Sequence, residues 1–445
     1  MVDGIRFGWR LRPPQLVVLS YILVILTGSL LLYLPYSSHS STPYLDALWT
    51  ATSATCVTGL VVMDTGTHFT FWGQLVTLLL IQIGGLGYMV IMTSIALLLG
   101  RRITLFDRVT ISESLNLYTI QGIVRLVKLI GVFVIIAEAI GAVLLSIRFI
   151  PIFGWPSGLW KSLYHSVSAF NNAGFDLMGG FKSLSKFIGD PLVNIVVMCL
   201  IVLGGLGFFA VSEITTQRRF KFFSLHTKLV VRTTLILIVV ATILIFLLEY
   251  NNPLTLKPLC LTDKVIASLF QAVTPRTAGF STLNIGGLKP VTSLLITTLM
   301  FIGASPGGTG GGVKTTTFVV GLAMLWSTIH GDERTVLLHK ILPVKNIKRA
   351  LSIILLGLTI VYLSTFLLLM VSKFDTLDAF FEATSAFGTV GLSRGITPYL
   401  NSVGKVVLIL TMLFGRVGPA TLLLFMVIPG EPWKVSYPEE KVIVG

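Results

Sequence analysis

The chain has 445 residues, of which 54% are hydrophobic and 12% charged, and its 33 Lys and Arg against 19 Asp and Glu give a net charge of +14. This balance excludes an ordinary soluble enzyme, and the basic residues, clustered between apolar runs, fit cytoplasmic loops of a membrane protein rather than a nucleic-acid surface. Cys56, Cys199 and Cys260 are far apart and have no His cluster beside them, so neither a disulfide framework nor a zinc site is indicated.

In chain order, Arg6, Arg10 and Arg12 precede a first apolar run at about 16–34. It has the charge of a signal peptide but ends in Leu34-Pro35-Tyr36 with no small-residue cleavage site, so a retained helix is expected. Seven further runs long enough to span follow at about 74–99, 126–150, 192–212, 229–249, 291–326, 350–371 and 403–428. The eight fall into four pairs. Between the members of each pair lie about 40 residues holding a short helical piece and a glycine turn, too short to cross a bilayer.

Those turns align. They read Cys56-Val57-Thr58-Gly59, Asn171-Asn172-Ala173-Gly174, Arg276-Thr277-Ala278-Gly279 and Gly388-Thr389-Val390-Gly391, each followed by Leu or Phe. The closing glycines are 115, 105 and 112 residues apart, close to a quarter of the chain, and the helical pieces before them also match, best between Leu45–Ala54 and Leu377–Ala386. Four diverged repeats are therefore expected: 1–115, 116–222, 223–340 and 341–430, with pore loops at about 43–60, 158–175, 263–280 and 376–392 and a tail at 431–445. The expected fold is an all-α polytopic membrane protein with pseudo-fourfold symmetry. Eight transmembrane helices and four re-entrant pore helices would surround a single central pore.

Eighteen Lys and Arg lie at the N-terminus and in the segments joining repeats, against eleven on the pore-loop side, which puts both termini in the cytoplasm. Backbone at membrane depth is tolerated where it lines a water-filled path. Four such turns about one axis would stack carbonyls into rings able to replace the hydration shell of a potassium-sized cation.

The sixth run is interrupted by six glycines between residues 303 and 312, with Gly307, Gly308, Thr309, Gly310, Gly311, Gly312 and Lys314 at its centre. Val313 spoils the spacing of a phosphate-binding loop. A loop at 303–317 facing a cavity beneath the filter, and able to obstruct it, is the better reading. Arg416, deep in the last run, must face the bundle interior, where it would repel cations or bond the carbonyls of that loop. Arg276 is expected either to act beside the cation path or to point away and pair with Glu382 or Asp176. Glu138 and Glu249 are either protonated and silent or, as weaker candidates, part of a coupling-ion path. No paired intramembrane carboxylates, His-Glu motif or activated serine suggests catalysis, so the chain is read as no enzyme.

With these four tandem units, each carrying one filter glycine, the chain resembles the Trk/Ktr/HKT superfamily of cation transporters over essentially its whole length. Its short length is closest to the membrane subunits of bacterial Ktr potassium-uptake systems. The resemblance implies that Gly59, Gly174, Gly279 and Gly391 are filter glycines, with the carbonyls just before them holding potassium. It further implies that the 303–317 loop is the gate, that Arg416 forms a constriction, and that a homodimer has one pore per protomer in the bacterial plasma membrane. It also implies a cytosolic KtrA-like ring of nucleotide-binding regulatory subunits as partner, and leaves open sodium as an activator. The alternative is a secondary cation transporter with alternating access, which accounts for the broken sixth run but not for four matching turns.

Overall fold

The computed structural model describes residues 13–87, 90, 123–217, 219–332, 334–418 and 440. The basic residues Arg6, Arg10, Arg12, Arg101, Arg102, Arg108 and Arg218, the tail 431–445 and the ends of the predicted runs 74–99 and 403–428 lie outside them in whole or part.

Most of the described residues are helical. Helix α1 (Pro13–Tyr33) stops ahead of Pro35, and α2 (Tyr44–Thr55) is followed by the one-turn α3 (Thr65–His68) and by α4 (Phe71–Leu86). Next come α5 (Ile123–Phe153) and α6 (Trp155–Phe170), separated only by Gly154 at φ 81°. Asp190 caps α7 (Pro191–Gly205), accepting from Leu192 N at 3.0 Å, with a proline in the first turn where its missing N–H costs nothing. Then follow α8 (Phe208–Gln217), α9 (Leu225–Glu249), α10 (Leu261–Val273), α11 (Pro290–Phe301) and α12 (Thr315–Ile329). A two-stranded ribbon, β1 (Val336–Leu337) with β2 (Lys340–Ile341), turns through Leu338 and His339 at positive φ and departs from the all-helical expectation. Last are α13 (Val344–Val371), α14 (Thr376–Gly388) and α15 (Ser402–Val417).

Among the described residues, four helices, Gln15–Tyr33, Val124–Phe153, Leu225–Glu249 and Val344–Val371, within α1, α5, α9 and α13, are 19, 30, 25 and 28 residues long, and each holds a strongly apolar 18-residue stretch. About 20 residues cross a hydrocarbon core, and Leu23, Ile135, Leu247 and Met370 on them are 64–69% exposed, an apolar surface suited to lipid. The predicted run 192–212 is not one straight span: α7 and α8 meet at 99°. Gly207 at φ 89° cannot continue a right-handed helix. Gly87 (φ 79°) and Gly418 (φ 87°) end α4 and α15 the same way, so interruption is not special to the sixth run.

Each of the short helices α2, α6, α10 and α14 packs on the long helix before it. The helix that follows then packs on the short helix of the next unit, α4 on α6, α7 on α10, α11 on α14 and α15 on α2. The last contact closes a ring. Trp49, Tyr164 and Phe381 occupy matching places in three of the short helices and are fully buried, Trp49 donating from its indole to Leu60 O at 2.9 Å.

Candidate functional site

At the inner end of each short helix the chain makes the same turn. Thr58 N, Ala173 N and Val390 N donate back to Ser53 O, Ser168 O and Ser385 O, each at 2.8 Å, and Ala278 N to Thr274 O at 3.0 Å. The hydroxyls of these residues also hold the turn. Ser53 Oγ and Ser385 Oγ accept from Gly59 N and Gly391 N at 3.1 Å, while Ser168 Oγ donates to Phe175 O at 2.7 Å and Thr274 Oγ1 to Phe280 O at 2.5 Å. Sequence reasoning passed over these hydroxyls, although three of them stand six residues before a turn glycine.

Backbone conformation repeats as well. Val57 (φ 57°), Asn172 (φ 59°), Thr277 (φ 67°) and Thr389 (φ 50°) are left-handed, as are Gly59, Gly174, Gly279 and Gly391 two residues later at φ 69–92°. Three of the four non-glycine residues are β-branched, for which this region is an outlier, and each such residue costs about 1–3 kcal/mol. The same cost taken four times, at matching positions, marks a conformation retained for what its peptide groups do.

The four turns converge. A Cβ placed on Gly59 would lie 2.4 Å from Ala173 O, one on Gly174 2.9 Å from Ala278 O, one on Gly279 2.5 Å from Val390 O and one on Gly391 2.2 Å from Thr58 O. Thus each glycine abuts the carbonyl that precedes the glycine of the next unit, and the cycle returns to its start. No side chain fits at any of the four. The arrangement brings together all sixteen residues expected at the filter, every one of them buried apart from Gly279 and Gly391, which are partly exposed.

The glycine-rich segment between α11 and α12 lies against this ring. Ile302 pairs with Val313, and Ser305 N and Thr309 N donate to Gly205 O and Gly204 O at 3.0 and 3.1 Å, while Phe208 N donates to Gly307 O at 3.0 Å. On its other side Gly312 N reaches Gly415 O at 3.3 Å and Gly311 N reaches Thr389 Oγ1 at 3.0 Å. A Cβ on Gly310 would strike Thr277 Oγ1 at 2.0 Å. The loop therefore touches the left-handed threonines of two turns. Lys314 Nζ donates to Gly310 O at 2.5 Å. Arg416 donates to Thr309 O from Nη1 and to Gly84 O and Gly85 O from Nη2, so it both bonds the loop and bridges α15 to α4.

A further pattern escaped the sequence reading. Gly84, Gly204 and Gly415 each begin a Gly-x-[Leu/Val]-Gly stretch, and a Cβ on any of them would lie within 2 Å of a carbonyl ending a short helix, Thr55 O, Phe170 O or Phe387 O. Arg416 occupies the place held by Gly85 and Gly205.

Some candidates are placed otherwise than expected. Arg276 pairs with neither Glu382 nor Asp176: the ion pairs among the described residues are Arg148–Asp190, Arg394–Asp378 and Lys405–Asp46. Glu382 is engaged by the Thr397 hydroxyl and Asp176 by Met178 N, and Arg276, 5% exposed, leaves Nε and Nη2 without a partner. The Glu249 carboxylate is filled by Asn252, Thr255, Thr292 and Lys289 N, which makes it a tether between α9 and α11. Asp176 lies two residues beyond Gly174; burial pushes its carboxyl up to about 6, opposed by the Met178 N–H and reinforced by the charge of Asp64.

Long apolar helices around a closed ring of helix-ending turns define a multi-pass membrane protein. The family model described as cation transport protein, TrkH, matches residues 12–434, and the chain belongs to that family. It is 45% identical over 436 residues to Ktr system potassium uptake protein B of Bacillus subtilis, covering 98% of this chain and 97% of that one. It is 38% identical to the protein of the same name in Vibrio alginolyticus (100% and 97% covered) and 37% identical to potassium/sodium uptake protein NtpJ of Enterococcus hirae (99% of each). Its fold matches the crystal structure of the potassium transporter TrkH from Vibrio parahaemolyticus with a TM-score of 0.75 at 20% identity, over 95% of this chain and 87% of that one.

Proposed function

We propose that the chain is the potassium-translocating subunit of a Ktr-type uptake system, with the four turns as its selectivity filter. The observation that carries this reading is the ring of Gly59, Gly174, Gly279 and Gly391, each against its neighbour's carbonyl and each preceded two residues earlier by a left-handed residue. Carbonyls held at that density replace the water of a dehydrated cation without reorganising. The negative ends of α2, α6, α10 and α14 point at the same place and favour positive charge there. The four repeats, 1–115, 116–222, 223–340 and 341–430, each supply one turn.

The glycine-rich loop is the gate. It lies across the cytoplasmic side of the ring, held closed by the backbone bonds to Gly204, Gly205 and Gly415 and by Arg416. Two cationic side chains, Lys314 on the loop and Arg416 on α15 bonded to it, stand where a cation must pass. The names of the relatives support potassium as cargo, and the potassium/sodium name of one supports sodium as a second ion acting on the system. A Ktr system has several components, which supports a cytosolic nucleotide-binding ring as the regulator of the gate. A homodimer in the plasma membrane, with both termini cytoplasmic, completes the reading.

The test is potassium and sodium flux into proteoliposomes containing this chain alone, with Gly391→Ser as the variant. A side chain at φ 92° and 2.2 Å from Thr58 O displaces the first turn. Potassium preference should fall by at least about tenfold, the loss of one well-placed ligand set. Unchanged preference would remove the ring from the ion path and favour the alternating-access transporter.

A further inference from the structure

The residue three places before each ring glycine differs in every unit: Cys56, Asn171, Arg276 and Gly388. Only at Asn171 does a network stand behind it. Its Nδ2 donates to Glu138 Oε1 at 3.0 Å, to Gln82 Oε1 at 2.8 Å and to Val167 O at 2.9 Å, and Gln82 Nε2 donates to Glu138 Oε2 at 3.3 Å. Both oxygens of the carboxyl are used. Glu138 is 8% exposed and Asn171 fully buried, and no ion pair among the described residues involves Glu138. The Glu138 carbonyl also accepts from Ser166 Oγ at 2.7 Å. One turn along α5, a Cβ on Gly141 would lie 2.4 Å from that same Ser166 Oγ, which brings α5 onto α6 at this level.

A carboxyl deep in an apolar bundle is costly and persists where it does something. Here it joins three elements, α4, α5 and the turn after α6, at one amide. The next residue, Asn172, carries the left-handed backbone of that turn. We infer that Glu138 is a positioning residue for ion selectivity: through Asn171, and supported by Gln82, it fixes the second turn so that the carbonyls before Gly174 keep their place in the ring. This rests on the reading of the ring as the filter. The second turn is thereby tied through the Asn171 amide nitrogen, its Oδ1 being left without a partner, whereas Arg276 at the matching position has two donors unpartnered.

The experiment measures potassium-over-sodium selectivity and total rubidium flux in proteoliposomes of the full chain, for wild type, Glu138→Ala, Glu138→Gln, Asn171→Ala, Gln82→Leu and the double variant Glu138→Ala/Asn171→Ala. Glu138→Ala and Asn171→Ala should each lower the selectivity ratio roughly tenfold, and the double variant no further, because partners in one network are not additive. Glu138→Gln keeps an acceptor for Asn171 and should stay within about twofold of wild type by the same argument. If Glu138→Ala yields no folded protein, Gln82→Leu, which removes one support and leaves the carboxyl, still has to lower selectivity. Wild-type selectivity in Glu138→Ala, or a Glu138→Gln as impaired as Glu138→Ala, overturns the positioning role. Gly174→Ser is measured beside them: if it leaves selectivity intact the filter reading itself falls, and if it abolishes selectivity while the Glu138 and Asn171 variants do not, only the brace falls.

Discussion

A guanidinium inside a membrane protein persists only where its protons meet acceptors, and Arg416 meets Thr309 O, Gly84 O, Gly85 O and, at 3.4 Å, Tyr21 Oη. Removing it releases the loop on one side. Arg416→Ala should raise potassium flux roughly fivefold or more, the factor for about 1 kcal/mol of lost closed-state bonding; flux equal to or below wild type would show that Arg416 only anchors helices. Asp176 gives a second prediction at this scale. Its carboxyl, pushed up to about 6 by burial, is charged at pH 7.5 and largely neutral at pH 5.5. If it adds attraction for cations at the outer mouth, acidifying the outside over that interval should lower uptake roughly twofold, and Asp176→Asn should abolish the response. The sequence exposed Arg416 because a charge in an apolar run has few explanations. It misjudged only the pairing of Arg276, since which carboxylates are free is decided by bonds such as Thr397 to Glu382 that no spacing reveals.

Several elements of regular structure end or bend here at glycine, α4 at Gly87, α15 at Gly418 and the α7–α8 pair at Gly207. The break between α11 and α12 was legible because six glycines in ten residues cannot hold a helix. The 99° bend between α7 and α8 was not, because Gly204, Gly205 and Gly207 read equally well as packing residues between membrane helices, and only the backbone distinguishes φ 89° from a helical value. The two breaks are one device, since Phe208 N, at the start of α8, holds Gly307 O of the loop. Gly310→Ala tests it: the added methyl would overlap Thr277 Oγ1 and the Ala304 methyl, at 2.0 and 2.7 Å, so the loop must move. Basal flux should rise by roughly the factor expected for Arg416→Ala, with the selectivity ratio retained. Unchanged flux would mean that the loop does not limit passage.

Across the whole molecule, the four matching turns were legible at a nearly constant interval, but the order of contacts was not. That α15 packs on α2 and closes the ring depends on residues more than 340 apart in sequence, such as Lys405 bonded to Asp46. The orientation proposed above turns the pore-loop side outward. Cys260, exposed just before α10, lies on the pore-loop side, Cys56 is buried, and Cys199 is exposed on α7 among apolar residues. A membrane-impermeant maleimide should therefore label intact cells at Cys260, and labelling should vanish in Cys260→Ser; label that appears only after lysis would invert the assigned orientation. The central claim, that the ring of four turns holds the dehydrated ion, is tested most directly by locating the ion itself. Crystals of this protein grown or soaked with rubidium or thallium should give an anomalous peak on the axis between Gly59, Gly174, Gly279 and Gly391, within ligand distance of the carbonyls before them. A peak at the breaks between α7 and α8 or α11 and α12, with none at the ring, would contradict it.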